Sequence, residues 1–364
     1  CTAGGVLAGL ALALGAAWAR RGPQGDQNLD YIDAARHGRV DLNDRLTLTR
    51  SVSALLSVGT GASIGREGPM VQLSAWLAAT LARWLPLEPQ QRTTLLVAGI
   101  AAGIGAAYHA PVAGVVFVLE LALGFIVPHA IAPVLIAAAT AAALIYWLVE
   151  PLPLYPMASM AQLPTSLGVA LVAGVFFGAI GWVLLLMLDK ARTGFARLGS
   201  APLRLGLGGL AVGLLSAGVP EVWGNGSSVV AEVLSGQAPW ALLALVLVVK
   251  VLATVLSSGS GAIGGVFTPS LFVGAVAGSV VAQVAALSLP PAWVGDPRVL
   301  AVLGMAAVLT AVTHAPLMAI VMVLEMTSQF QLTVPAMLAC GVAYAVSTQF
   351  GARPLYGNPI EAHR

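Results

Sequence analysis

Gly61-Ala62-Ser63-Ile64-Gly65-Arg66-Glu67-Gly68-Pro69-Met70 and, 200 positions later, Gly261-Ala262-Ile263-Gly264-Gly265-Val266-Phe267-Thr268-Pro269-Ser270 are glycine-rich breaks, each opening an apolar segment. A turn of this kind leaves the first amides of the following helix without intrahelical acceptors, and the helix dipole places partial positive charge on them. The natural ligand of such a terminus is an anion. In the first copy Pro69 suits the opening helical turn and Gly68 permits close backbone approach. The second copy repeats the plan without an acid, so Glu67 is peculiar to the first.

The surrounding composition says where these breaks lie. Of 364 residues 58% are hydrophobic and only 9% charged, with a mean hydropathy of +0.90. A soluble chain carries about a quarter charged residues, so this one is an integral, multi-pass membrane protein. Crossing a bilayer takes roughly 20 apolar residues, which marks runs at 4–19, 93–107, 127–149, 166–188, 205–218, 238–256, 298–313 and 332–349. Shorter or interrupted runs fall at 46–60, 68–85, 111–125, 266–288 and 316–327. Broken helices are tolerated in a membrane where the freed backbone faces protein or a water-filled cavity, and in transporters they line the substrate path. The expected class is an all-α membrane protein.

Charge and cysteine usage add orientation and exclusions. Lys190, Arg192, Arg197 and Arg204 cluster between two long apolar runs, and short Lys/Arg-rich loops stay cytoplasmic, which places 189–204 inside the cell. The mixed-charge block 20–50 reads as a solvated loop carrying a short amphipathic helix. Cys1 and Cys340 show no metal-ligand spacing and read as packing residues. His109 and His314 each read as a polar cap beginning a helix beside Ala-Pro, not as metal ligands. No metal, cofactor or nucleic-acid partner is expected. The chain starts with Cys and enters an apolar run at once, which suggests that its native N-terminus is missing.

An internal repeat organises the chain. An offset of 200 pairs Arg50 with Lys250, Ser57 with Ser257, Gly61 with Gly261, Gly65 with Gly265 and Pro69 with Pro269, and an offset of 205 pairs His109-Ala110-Pro111 with His314-Ala315-Pro316 and Glu120 with Glu325. Two halves follow, 1–150 and 166–364, joined through the proline-rich stretch 151–156. If they are inverted, their broken helices meet near the bilayer midplane. Glu120 and Glu325 then read as a structural pair. Glu67 reads as a tethered competitor for the anion, since a carboxylate at a helix start mimics the ion and intramembrane acids are functional by default. Arg66 reads as an anion-side residue or, better, a partner in the interfacial polar network.

The runs Gly65-Arg66-Glu67-Gly68-Pro69, Gly265-Val266-Phe267-Thr268-Pro269 and Pro354-Leu355-Tyr356 resemble the anion-binding motifs of the CLC family of chloride channels and chloride/proton antiporters, and most resemble its bacterial voltage-gated-type channel branch. The resemblance spans the chain in order. It implies a CLC-type inverted repeat of broken and tilted transmembrane helices, a homodimer with one pore per subunit, and residence in a bacterial inner membrane. It also implies chloride or a similar small anion as substrate, protons as a second substrate in the antiporter branch, and no cofactor. By position, Glu67 is the gating glutamate, Gly65, Arg66, Gly68 and Gly265 belong to the anion-binding loops, the amides of Val266 and Phe267 coordinate the central anion, and the Tyr356 hydroxyl closes the site.

Three departures qualify what the resemblance implies. The family's first anion loop, Gly-Ser-Gly-Ile-Pro, is Gly25-Asp26-Gln27-Asn28-Leu29 here, without its serine. The position of the antiporters' proton-transferring glutamate is Leu121, which cannot relay protons and favours channel-like conduction. The N-terminal helices that normally precede the first broken segment are missing. An enzyme would need a convergent acid/base or metal constellation, and an organic-solute transporter a larger polar cavity; the Gly, Ala and Val of the breaks fit neither. Chloride/proton antiport, or transport of fluoride or another anion on the same fold, stays open.

Overall fold

The computed structural model describes residues 1–19, 30–124, 127–148, 153–157, 167–236, 238–288 and 296–356. In chain order these form α1 (Thr2–Ala19), α2 (Tyr31–Arg36), α3 (Asp44–Gly59), α4 (Glu67–Trp84), α5 (Pro89–Tyr108), α6 (Pro111–Phe117) with a π-helical continuation Val118–Leu123, α7 (Pro128–Leu148), α8 (Leu167–Ala196), α9 (Ala201–Gly218), α10 (Ser227–Ser235), α11 (Trp240–Gly259), α12 (Phe267–Ala285), α13 (Pro297–Thr313), α14 (Pro316–Thr327) and α15 (Thr333–Gln349). Among the described residues seven helices are long and apolar enough to cross a membrane. Every apolar run read from the sequence falls on a helix. Helix α8 outlasts its run, continuing to Ala196 because Leu, Met, Lys, Ala and Arg remain good helix formers where hydropathy stops.

Burial separates lipid-facing helices from the interior. In α12, 78% of the most apolar window is buried, against 11% in α7, so α12 is a core helix and α7 a wall. Trp18, Trp84, Trp147 and Trp240 are exposed close to helix ends, where an indole can sit at the membrane–water boundary. Helices α12 and α13 pack along one another, at a crossing where a Cβ on Gly274 would come 2.1 Å from the Gly304 carbonyl oxygen and one on Gly304 2.2 Å from the Gly274 oxygen. No side chain larger than hydrogen fits at either position.

The two His-Ala-Pro breaks interrupt helices α5/α6 and α13/α14. His109 and His314 end α5 and α13 in left-handed backbone, φ 54° and 57°. The expectation that they begin helices is thus corrected: Ala-Pro restricts the preceding backbone and starts the new helix at Pro111 and Pro316, leaving the histidine as the terminator. His314 Nε2 lies 3.2 Å from Ser347 Oγ.

Glu120 and Glu325 are exchanged between these broken helices. The Glu325 carboxylate accepts from the amides of Val112 (3.1 Å) and Ala113 (2.7 Å) at the start of α6. Glu120 accepts from Leu317 (3.2 Å) and Met318 (2.7 Å) at the start of α14. Each acid satisfies the orphan donors of the other helix and complements its dipole.

Block 20–50 also needs correction. Its residues 20–29 lie outside the described region, but α2 is not a solvated loop helix: Tyr31, Ile32, Ala34 and Ala35 are buried. Gln72 of α4 reaches the Tyr31 amide at 3.4 Å, and α2 packs on the π-helical turn after α6. Its apolar residues cover the floor of the site described next.

Candidate functional site

Helices α4 and α12 start side by side. Gly65 and Gly265 form an antiparallel bridge, Gly65 N donating to Gly265 O at 2.7 Å and Gly265 N to Gly65 O at 2.8 Å. The matched glycines thus meet directly. In α12 the first intrahelical bond runs from Ser270 N to Val266 O, 2.9 Å; Pro269 has no N–H, so the amides of Phe267 and Thr268 have no acceptor within the helix. In α4 the corresponding first bond, Met70 N to Arg66 O, is long at 3.4 Å. The result is a cluster of helix starts suited to an anion.

Glu67 is the first residue of α4 and only 6% exposed. Its Oε1 accepts from Asn225 Nδ2 at 3.1 Å, while Oε2 is buried without a hydrogen-bond partner among the described residues. A Cβ on Gly65 would lie 2.2 Å from Oε2, so glycine at 65 is what admits the carboxylate. Arg66, by contrast, is exposed, with its side chain away from the buried carboxylate. Gly68 lies close to Gly265 on the inner side.

Behind the start of α12 lies a cluster of aromatic rings. Tyr108 stacks obliquely on Phe267, centroids 5.4 Å apart, and its hydroxyl is 3.5 Å from Thr268 Oγ1. Phe117 lies 6.4 Å from Phe267 and 6.2 Å from Tyr356, with Phe267 and Tyr356 6.5 Å apart. Ring edges carry partial positive charge, so such a girdle tolerates an anion while offering few groups to hold it. A cavity of about 390 Å³ adjoins the two helix starts, lined by Gly68, Gly264 and Gly265 together with Tyr356, Tyr31 and Arg50, among others. Arg36, whose side chain is 4% exposed, donates from Nη1 to Tyr356 O at 2.8 Å and from Nε and Nη2 to Leu121 O at 3.2 and 2.9 Å. It ties the Tyr356 segment to the end of the π-helical turn. Leu121 itself is buried, 2% exposed.

Of the residues singled out in the sequence, Gly65, Glu67, Gly68, Gly265, Val266, Phe267 and Tyr356 converge, and Arg66 points elsewhere. The loop 25–29 lies outside the described residues. Sequence reasoning missed Asn225, Tyr108, Phe117 and Arg36. Lys250 was paired with Arg50 without further consequence, although a lysine inside an apolar span is itself a signal. Among the described residues no group of three or more His, Cys, Asp or Glu could hold a metal ion.

The sequence pattern of the family described as "Voltage gated chloride channel" matches residues 4–348. A ClcB-like chloride channel protein of Ralstonia nicotianae is 45% identical over 374 residues, covering 100% of this chain and 85% of that protein. Among solved structures, a slow cyanobacterial Cl⁻/H⁺ antiporter superposes with a TM-score of 0.85 at 26% identity, covering 100% of this chain and 86% of the other. A CLC-type fluoride/proton antiporter gives 0.73 at 26% identity, covering 96% and 94%. With a matching family pattern from residue 4 to 348, the helical fold and the helix starts paired across the repeat, the chain belongs to the CLC family of anion-transporting membrane proteins.

Proposed function

We propose that this protein conducts chloride passively through a pore running from the Arg50-lined cavity past Tyr356 and Phe267 to Glu67, and that Glu67 is the gate. The observation that carries this reading is the Glu67 carboxylate, buried at the meeting of two helix starts with one oxygen lacking any donor among the described residues. A buried unsatisfied acceptor is costly, and a chloride ion would compete for the same positive terminus. Ionised Glu67 blocks the path; the protonated or displaced side chain clears it. Val266 and Phe267 supply backbone donors, Gly65, Gly68 and Gly265 admit the ion to the backbone, and Tyr356 closes the inner side. Placing 189–204 in the cytoplasm puts the Glu67 end outside and the Tyr356 end inside.

Leu121 supports conduction without proton coupling, because its buried aliphatic side chain can neither take up nor release a proton. The second reading is chloride/proton or fluoride/proton antiport, favoured by the two solved antiporters that share the fold. We further propose a homodimer in a bacterial inner membrane, with the apolar faces of α14 and α15, where Leu317, Val334 and Met337 are exposed, among the candidates for its contact.

The test is chloride efflux from proteoliposomes with the potential clamped. Glu67→Gln should raise flux at neutral pH and remove most of its pH dependence; a pH profile identical to the parent protein's would reject the gate. Uphill proton movement driven by a chloride gradient would establish antiport instead of conduction, and a preference for fluoride would change the substrate.

A further inference from the structure

The proposed gate is held from outside by a loop whose construction points to a dedicated role. Residues 220–226 join α9 to α10, and Asn225 near the loop's end donates its amide to Glu67 Oε1 at 3.1 Å. The orientation of that amide is dictated by its other end. Asn225 Oδ1 accepts from the Ser227 amide (3.2 Å) and hydroxyl (3.1 Å). A backbone N–H can only donate and an ionised carboxylate can only accept, so the oxygen must face Ser227 and the NH₂ must face Glu67.

The loop itself is anchored by a group otherwise hard to explain. Lys250 lies in the middle of α11 with its side chain fully buried, 0% exposed. Its ammonium donates to Val222 O at 3.0 Å and Gly224 O at 2.6 Å, and lies 5.3 Å from the centroid of Phe272. Phe272 also packs under Gly226, and Trp223 covers Gly61 at the base of the first break. Burying a lysine is expensive unless its charge is engaged. Here the ammonium fixes the carbonyls of Val222 and Gly224, three residues and one residue before Asn225.

Resting on the gate reading above, we infer that Asn225 is a positioning residue for Glu67, a rigidly mounted amide that holds the carboxylate in the blocking position, with Lys250 as the anchor of its loop. The amide stabilises the ionised, blocking form and offers nothing to a withdrawn side chain. The other titratable groups facing the carboxylate are the phenols of Tyr108, Tyr155 and Tyr356, which ordinarily ionise only near pH 10; Lys250 is engaged by the Val222 and Gly224 carbonyls, and Arg66 is adjacent in the chain.

The experiment measures chloride flux against pH for the full chain carrying Asn225→Asp, Asn225→Ala, Glu67→Gln and each pairwise combination with Glu67→Gln. Asn225→Asp sets a second carboxylate against Oε1, so protonation is favoured and the flux midpoint should move to higher pH by about one unit or more. Asn225→Ala should shift it in the same direction by less. Neither change should alter the profile once Glu67 is glutamine. A midpoint unmoved by both Asn225 variants, while Glu67→Gln still abolishes pH dependence, overturns the positioning role and leaves the gate intact. Equal changes with and without the Glu67 carboxylate would assign Asn225 a merely structural part and overturn it too. Persistence of the parent's pH dependence in Glu67→Gln would remove both the gate and its lock, and would direct attention to Lys250.

Discussion

Glu67 and Tyr356 bound the buried stretch between them in opposite ways. The acid has one oxygen held and, among the described residues, one bare, a state whose unpaired half costs about 1–3 kcal/mol when buried; release toward solvent relieves it. Tyr356 is instead fixed through its backbone, its carbonyl held by Arg36, while the residue lines the cavity beside the helix starts. Tyr356→Ala should therefore change selectivity more than stability: the chloride/nitrate flux ratio should alter by about two- to tenfold, the equivalent of one net hydrogen bond, and an unaltered ratio would take Tyr356 out of the path. Arg36→Ala should act on both its acceptors at once, lowering flux and loosening the segment after α15. Hydrogen exchange at 352–356 would show whether that loosening occurs. Glu67, Gly65 and Gly265 were legible in the sequence because local grammar marks them: glycine and proline punctuate a break, and an acid inside an apolar chain stands out; Val266, Phe267 and Tyr356 were reached only through the resemblance to the CLC motifs. Asn225, Tyr108 and Phe117 carry no local mark. They matter because distant segments cross, and nothing in the spacing of 67 and 225 announces that meeting.

At the scale of elements, the breaks are where sequence and structure diverge most. The lengths of the apolar runs placed the long helices but not α10, and Ala-Pro placed the starts of α6 and α14; the mistake over His109 and His314 came from treating a terminator as an initiator, since left-handed backbone at a non-glycine residue leaves no signature in composition. Block 20–50 misled for a related reason, because its charges suggested solvent while Tyr31, Ile32, Ala34 and Ala35 of α2 turn inward. The exchanged carboxylates yield a sharper expectation. Glu325→Ala leaves the Val112 and Ala113 amides without their acceptor, and Glu120→Ala does the same to Leu317 and Met318. Each should destabilise the fold by about 1–3 kcal/mol, read as a lowered melting temperature in detergent, and the two losses should be similar in size because the contacts are near copies. A drop for one variant alone would show that the two caps are not equivalent.

For the whole molecule, the decisive contact is the interior crossing of α12 and α13. Lipid offers no hydrophobic incentive for helices to associate, so close approach of small residues takes its place. Gly304→Val should separate these two helices, cost about 1–3 kcal/mol or more, and reduce the yield of monodisperse protein; it should also impair flux, since α12 carries Phe267 at its start. Retained melting temperature and flux would mean that the crossing can yield. A substitution on the exposed wall, such as Leu135→Ala, should do far less.

The crossed caps also bear on the order in which the chain is made. Val112 and its acceptor Glu325 are 213 residues apart, which at about 5–20 residues per second of synthesis is a delay of roughly 10–40 s. Throughout that interval the nascent first half sits in the membrane with the opening turn of α6 uncapped. A ribosome-arrested chain ending before residue 325 should therefore be cleaved readily by protease around 109–117, and one extended well past it should be protected. The opening turn of α6 acquires its acceptor only once Glu325 has been made, so its final capping waits on chain synthesised much later.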